Sequence, residues 1–494
     1  MTRIPYGRRF TELAAADPDR PSVTCGDTSL TRAELDTAAN RLGRDLASRG
    51  VAQGDMVTIA LPNSVDWYVA AVACWKIGAI PQPVSARLPA RELAAIVDLA
   101  DAVVVMGVDP ATFPDRICLP VGYEAPADLD DSPLPDIVSP AWKAPTSGGS
   151  TGRPKLIVSG DPGIFDTEGF NRLRLIPDRT MVLPGPLYHN APVVWSCNAL
   201  FYGNHVVVLP RFDAEATLAA IERYSADITY LVPTMMKRIW RLPEEVRTKY
   251  DLSSLRIVWH VAEPCPPWLK EAWIGWLGPE RIMELYGGTE AQLATVISGD
   301  EWLTHRGSVG RPITGELYIA DEDGNPVPAG QMGEVWTRPV GRDTPTYRYI
   351  GAEPRQREGG WESLGDMGRV DEEGYLYLGD RASDMILTGG SNVYPAEVEA
   401  ALQEHPDVRS CVVIGLPDED MGNRVHAIVE ADPGTVGEEE ILGFLGERLA
   451  RYKLPRSMEL VDEPLRDDAG KVRRSALRAE RLATAAPPDG AASS

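Results

Sequence analysis

The sequence predicts an α/β fold: a large N-terminal body of parallel-type sheets with helices, a small β unit, and a small α+β domain at the C-terminal end. Three observations predict it. Helix and strand signals alternate from the N-terminus, which implies parallel sheets covered by helices. After Pro312 the texture changes to short strands and glycine turns, and from Met385 a fresh helix–strand pattern begins. With 494 residues, 44% hydrophobic and 24% charged, the chain has material for several cores.

The elements follow in order. Thr31-Arg-Ala-Glu34 reads as a capping box, with Leu35, Ala38, Leu42 and Leu46 on one face behind it and Gly50 as the stop. A strand over 56–61 and a helix over 64–77 come next, then strands over 102–106, 228–232 and 255–259 with helices between. The Pro- and Asp-rich stretch 126–140 reads as a surface connector. Short strands over 315–320, 333–337 and 374–378 make the small β unit. Pro395 opens a helix with Val398 and Leu402 beneath it. Strands over 408–414 and 425–429 and a helix over 438–449 complete a domain of about one hundred residues, a size that folds alone. Residues 483–494, rich in Ala, Pro and Ser, predict a disordered tail.

A net charge of −23 argues against nucleic-acid backbone binding. Cys25, Cys74, Cys118, Cys197, Cys265 and Cys411 are scattered with no C-x-x-C pair, which fits a reducing cytoplasm. Arg8-Arg9 is followed by Thr11, Glu12, Asp17 and Asp19, not by the apolar core of a signal peptide. The apolar run Val69–Cys74 is too short to span a membrane.

Four segments carry chemistry. Thr146-Ser147-Gly148-Gly149-Ser150-Thr151-Gly152-Arg153-Pro154-Lys155 offers hydroxyls and close-approaching backbone N–H groups to anionic oxygens. It is no Walker loop, because Lys155 follows Pro154 and no Ser or Thr succeeds it; nor is it a dinucleotide fingerprint, since a strand-like Leu156-Ile157-Val158 follows where a helix belongs. Tyr286-Gly287-Gly288-Thr289-Glu290 gathers an aromatic face, a hydroxyl and a carboxylate in one turn. Gly365-Asp366 with Gly379-Asp380-Arg381 supplies a carboxylate suited to a ribose diol and a guanidinium suited to phosphate. Gly470-Lys471-Val472-Arg473-Arg474 places a lysine in a turn. Singly, these read as a flexible turn, a β-turn, a capped surface loop and a solvated basic stretch.

Together and in this order, over about residues 10–480, they resemble the acyl-adenylate-forming superfamily of acyl-CoA synthetases, adenylation domains and luciferases. The surrounding Pro186-Leu187-Tyr188-His189-Asn190, Glu263-Pro264-Cys265-Pro266 and the 389–395 segment look most like bacterial fatty-acyl and bile-acid-type CoA ligases. The resemblance implies an adenylation domain over 1–380 whose β unit is barrel-like, a hinge at 381–384 centred on Ser383, and a mobile lid domain over 385–482. It also implies that ATP, Mg²⁺ and a carboxylic acid are bound, with CoA as acceptor. The alternative acceptor is an amine, a carrier-protein thiol or another small nucleophile. Thr146, Ser147, Gly148, Gly149, Ser150, Thr151, Gly152 and Lys155 would hold the β- and γ-phosphates, with Gly287 and Gly288 in the adenine loop. Tyr286 would stack on adenine, Thr289 bond the α-phosphate, Glu290 ligate Mg²⁺ and Asp366 accept the ribose hydroxyls beside Arg381. Lys471 matches the catalytic lysine, where an ammonium offsets carboxylate–polyphosphate repulsion in the transition state. His189 would line the acyl and pantetheine channel, and Gly389 and Gly390 would border pantetheine. Trp195, Asn198, Ala199, Tyr230, Val232, His260, Gly288 and Leu293 would line the acyl pocket, hinting at a compact aromatic or alicyclic acid. Glu263, where many relatives carry a glycine-rich segment, would either face that pocket or face solvent.

Overall fold

The structure is a computed structural model that describes residues 3–148, 154–381, 384–388, 391–418, 420–467 and 470–485. Gly149, Ser150, Thr151 and Gly152, the hinge residue Ser383, and Gly389 and Gly390 lie outside the described residues.

The N-terminal body is built on parallel strands. Pro21–Cys25, His205–Val208, Thr180–Leu183, Ile228–Leu231, Ile257–Val261 and Ile282–Gly287 lie side by side, each pair parallel. Val, Ile and aromatic residues dominate them, and Ile257–Val261 is buried at every position, as a strand covered on both faces must be. A second parallel sheet joins Ile80–Pro83, Met56–Ile59, Val104–Met106 and Ile117–Leu119. Between the sheets runs the helix Val65–Lys76, capped by Ser64 and buried over most of its surface. The capping box at Thr31 is formed, with Glu34 bonded back to the Thr31 amide.

The antiparallel unit is not a detached sheet. Ala294–Ser298 and Ser308–Thr314 continue the main sheet antiparallel from Ile282–Gly287, and Leu376–Arg381, Asp366–Val370 and Gly333–Arg338 extend it further. A hairpin of Thr146–Gly148 and Pro154–Ser159, with Tyr347–Ile350 along its outer edge, forms a third small sheet.

The C-terminal domain has its own core of Val398, Leu402, Val413, Val425, Ile441 and Leu445. The helices Pro395–Gln403 and Glu438–Gly446 pack on a sheet of Ser391–Val393, Ile386–Thr388, Gly422–Glu430, Ser410–Asp418 and Ser457–Val461. The last helix, Arg474–Ala485, runs past residue 482, where the tail was expected to begin. Among the described residues no helix is long and apolar enough to cross a membrane.

Candidate active site

In an open α/β sheet, ligands bind outside the carboxyl ends of the strands. Here a cavity of about 2570 Å³ opens at those ends, between the N-terminal body and the C-terminal domain. The strand Ile257–Val261 leads into Ala262 and Glu263, and Ile282–Gly287 into Gly288, Thr289 and Glu290; all five line the cavity. Ala262 (φ 73°) and Ala291 (φ 56°) hold left-handed backbone in these two loops. Such strained residues persist only where the surroundings over-determine them, and they cluster at ligand sites.

The phosphate-loop candidate is the hairpin whose stems are Thr146–Gly148 and Pro154–Ser159, with Ser147 opposite Lys155. The Thr146 hydroxyl accepts a 2.8 Å hydrogen bond from Gln82, which in turn accepts one of 2.6 Å from Thr58. Across the cavity, the buried Glu290 carboxylate accepts a 2.6 Å hydrogen bond from the Tyr349 hydroxyl and lies 3.6 Å from Lys155 Nζ. Lys155 also sits 3.9 Å from the Tyr349 ring centroid. Burial first, and the Glu290 charge second, push the Tyr349 hydroxyl up from its usual value. Thus one carboxylate, one ammonium and a hydroxyl-bearing hairpin face the same space. Among the described residues no cluster of three or more His, Cys, Asp or Glu forms a metal cage. A single buried carboxylate fits magnesium, which keeps waters and is held by one or two carboxylates plus substrate phosphates.

At the other end, the Tyr286 hydroxyl donates to Asp366 Oδ2 at 2.7 Å, and Asp366 lies opposite Arg381 in the strand register. Gly288 is closely covered: a Cβ there would meet Leu364 Cδ1 at 2.5 Å and Glu290 Oε2 at 3.0 Å. Gly287 would meet the Leu293 carbonyl at 2.9 Å.

His189 is the N-cap residue of the helix Asn190–Phe201, and its Nε2 lies 3.4 Å from Asp467 of the C-terminal domain. Lys471 follows in the same turn: its amide donates to Asp467 Oδ1 at 2.9 Å, and its carbonyl accepts from the Asp467 amide at 3.0 Å. Lys471, His189, Glu290, Thr289, Lys155, Thr146, Tyr286 and Asp366 all line the one cavity.

Trp195, Asn198, Tyr230 and Leu293 line it as well, with the Trp195 and Tyr230 rings 5.4 Å apart. Three acyl-pocket expectations need correction. His260 is fully buried on the opposite side of its strand, facing Glu284 at 3.8 Å, and burial lowers its pKa well below the usual imidazole range. Ala199 and Val232 are core residues and do not line the cavity. Glu263, by contrast, lines the cavity, and its charge reaches the Tyr230 hydroxyl of the acyl wall. Its Oε2 accepts from Thr234 at 2.9 Å, and its Oε1 lies directly under Gly470. Burial pushes this carboxyl up to about 7.

Sequence reasoning missed Gln82, Tyr349, Asp467 and Lys143. A signal existed for Lys143: it interrupts the apolar run Ala141–Pro145 just before the hydroxyl-rich loop.

Residues 10–341 match a family model described as AMP-binding enzyme, and residues 397–471 one described as AMP-binding enzyme C-terminal domain. A feruloyl-CoA synthase from an Amycolatopsis species is 31% identical over 489 residues, covering 94% of this chain and 96% of its own. The solved o-succinylbenzoate CoA synthetase of Bacillus subtilis, in complex with its acyl-adenylate intermediate, is similar with a TM-score of 0.81 and 25% identity. That match covers 97% of this chain and 99% of the solved one. The amide bond synthetase McbA of Marinactinospora thermotolerans is similar with a TM-score of 0.77 and 26% identity, covering 96% of this chain and 99% of its own.

Proposed function

This chain belongs to the AMP-binding enzyme family and is an AMP-forming ligase of the acyl-CoA synthetase type, and we propose that its cavity activates a compact aromatic or alicyclic acid. The single observation that carries the proposed site is the convergence of Lys471, from the C-terminal domain, with Thr146, Lys155, Thr289, Glu290 and Asp366 on one cavity.

In the first half-reaction the acid's carboxylate oxygen attacks the α-phosphorus of ATP, and pyrophosphate leaves. Two anions must meet, so groups that neutralise them as the bond forms lower the barrier. Lys471 bridges the attacking oxygen and the α-phosphate in this reading, and Thr289 bonds that phosphate. The hairpin with Thr146, Ser147 and Lys155 takes the β- and γ-phosphates, Tyr286 the adenine, and Asp366 with Arg381 the ribose. Glu290 would hold Mg²⁺, which neutralises phosphate charge when bound. The N-terminus of helix Asn190–Phe201 adds positive potential beside His189. Trp195 and Tyr230, two aromatic rings tilted at 55° to each other on the cavity wall, support the substrate class.

In the second half-reaction the CoA thiol attacks the acyl carbonyl and AMP leaves. Ser383 serves as the hinge between orientations, and Gly389 and Gly390 border pantetheine. We divide the chain at 381–384 on this reading, and we place the protein in the cytoplasm because its cysteines are unpaired. The similarity to an amide bond synthetase keeps an amine acceptor as the second reading.

The test is mass spectrometry of the protein with Mg-ATP and a panel of aryl, alicyclic and fatty acids, with and without CoA. Acyl-CoA and AMP formed from an aryl or alicyclic acid support the proposal. Turnover of long straight-chain acids alone would overturn the substrate class. Acyl-AMP that accumulates regardless of CoA would move the acceptor to an amine or carrier protein.

A further inference from the structure

Lys143 occupies a place that the chemistry above leaves unused. Its backbone is fixed between two sheets: its carbonyl accepts from the Ser159 amide at 3.0 Å, and the next amide, of Ala144, donates to Pro81 at 3.1 Å. Its side chain is buried, only 6% exposed, yet it lines the cavity. The ammonium donates to Asn190 Oδ1 and lies 4.8 Å from the Trp142 ring centroid. Asn190 directly follows His189 and begins the helix whose next turns carry Trp195 and Asn198. Lys143 therefore stands on the acyl side of the cavity.

An ammonium has three donors, and burying it on one neutral amide leaves its charge uncompensated. The two carboxylates whose charge it feels are engaged elsewhere. Asp161 pairs with Arg342 at 3.0 Å, and Glu290 binds Tyr349 and Lys155. Burial lowers the Lys143 pKa to about 8, the mark of a cation lacking an anion. Among the described residues no ion pair forms on Lys143.

We propose that Lys143 is a specificity-determining residue that binds a carboxylate-type or carbonyl oxygen of the acid substrate. The inference rests on the reading that this cavity takes a carboxylic acid. Lys471 comes on a turn of the C-terminal domain, whereas Lys143 is built into the N-terminal body and holds the substrate whichever way that domain faces. Two sources supply the same oxygen chemistry: the reacting carboxyl, or a second acceptor further along the acyl group.

The test titrates 4-phenylbutanoate, 4-oxo-4-phenylbutanoate, benzoate and cyclohexanecarboxylate calorimetrically into the wild type and Lys143→Met, with ATP titrated separately. Loss of a charge-assisted hydrogen bond weakens acid binding roughly 10- to 50-fold while ATP affinity stays within about 2-fold. Weakening for every acid assigns the reacting carboxyl, and weakening for the oxo acid alone assigns the distal oxygen. Unchanged acid affinity, or an equal loss for ATP, would overturn the proposal. Asn190→Ala, which removes the ammonium's anchor and keeps the charge, guards against misfolding of the first variant. It should weaken the same acids about 5-fold, and no change there also overturns the proposal. A wild type that binds ATP but none of these acids contradicts the carboxylic-acid reading itself, a failure distinct from a null result in the variants.

Discussion

In the N-terminal body the groups facing the cavity hang from the ends of strands buried on both sides. Glu290 and Thr289 follow Ile282–Gly287, Glu263 follows Ile257–Val261, and Thr146 is braced through Gln82 to Thr58 in a neighbouring sheet. The C-terminal domain presents Lys471 differently, on a turn closed by Asp467 and the left-handed Gly470 (φ 77°). Among the described residues, polar side chains tie that domain to the body. Lys237 and Arg241 donate to the Val408 and Pro406 carbonyls at 3.2 and 3.1 Å, Arg473 meets Glu92 at 3.3 Å, and Asp467 meets His189 at 3.4 Å. The Lys237 contact is buried, whereas the Arg473–Glu92 contact is exposed and contributes little. One half thus carries its site groups on sheet ends, and the other brings Lys471 in on a turn seated by side-chain contacts. Variants in the C-terminal turn, or in the side chains that seat it, should therefore separate the two half-reactions, whereas variants in the body's own sheets should not.

The largest effect is expected from Lys471→Ala. Removing the bridging ammonium should slow acyl-AMP formation by at least about 1000-fold, roughly 4 kcal/mol in the barrier. Thioester formation from supplied acyl-AMP should stay within a few-fold; equal loss in both would break the comparison. Gly470→Ala comes next. A methyl group there lands on the Glu263 carboxylate, and the left-handed backbone disfavours alanine as well. The turn must shift, and adenylation, followed by pyrophosphate release, should fall on the order of 100-fold, since a 1 Å misplacement carries that cost.

Smaller still, Arg241→Ala removes a tie between the domains without touching the cavity wall, and burst kinetics should show adenylation slowed about 3- to 10-fold. An equal slowing of supplied acyl-AMP turnover would mean that the body was damaged instead. The smallest effect belongs to Glu263. Its carboxyl is raised from 4.5 to about 7, so the stability it contributes is complete below the ordinary value and is lost as pH rises through 7. Thermal melts should find Glu263→Gln more stable than wild type at pH 8, with the gain gone near pH 4.5. A pH-independent difference would mean that Glu263 does not titrate under Gly470.

Much of the fold was legible because period and punctuation coincide. The Thr31 capping box, the Ser64–Ile77 helix and the Pro395 helix start all stand where their local signals put them. Strand ends moved by up to four residues, as where 408–414 became Ser410–Asp418, since pairing in the sheet sets them and one chain's pattern does not. The chemistry-bearing loops were legible because glycines, hydroxyls and carboxylates crowd short segments. What was not legible depends on which way a buried side chain turns. His260 and Tyr230 sit on adjacent strands, yet only Tyr230 lines the cavity. Glu263 was expected to face either the acyl pocket or solvent; it lines the cavity, beneath Gly470 from some two hundred residues later in the chain. Lys143 and Tyr349 gained their roles from tertiary neighbours, Asn190 and Glu290, that no local pattern links to them.

The most direct test of the central claim follows oxygen. With the turned-over acid labelled in its carboxyl oxygens, attack on the α-phosphorus leaves the acid's oxygen on that phosphorus when the thiol displaces the nucleotide. One labelled oxygen is expected in the AMP released with each acyl-CoA, read by mass spectrometry. Unlabelled AMP, or label in inorganic phosphate beside ADP, would contradict it.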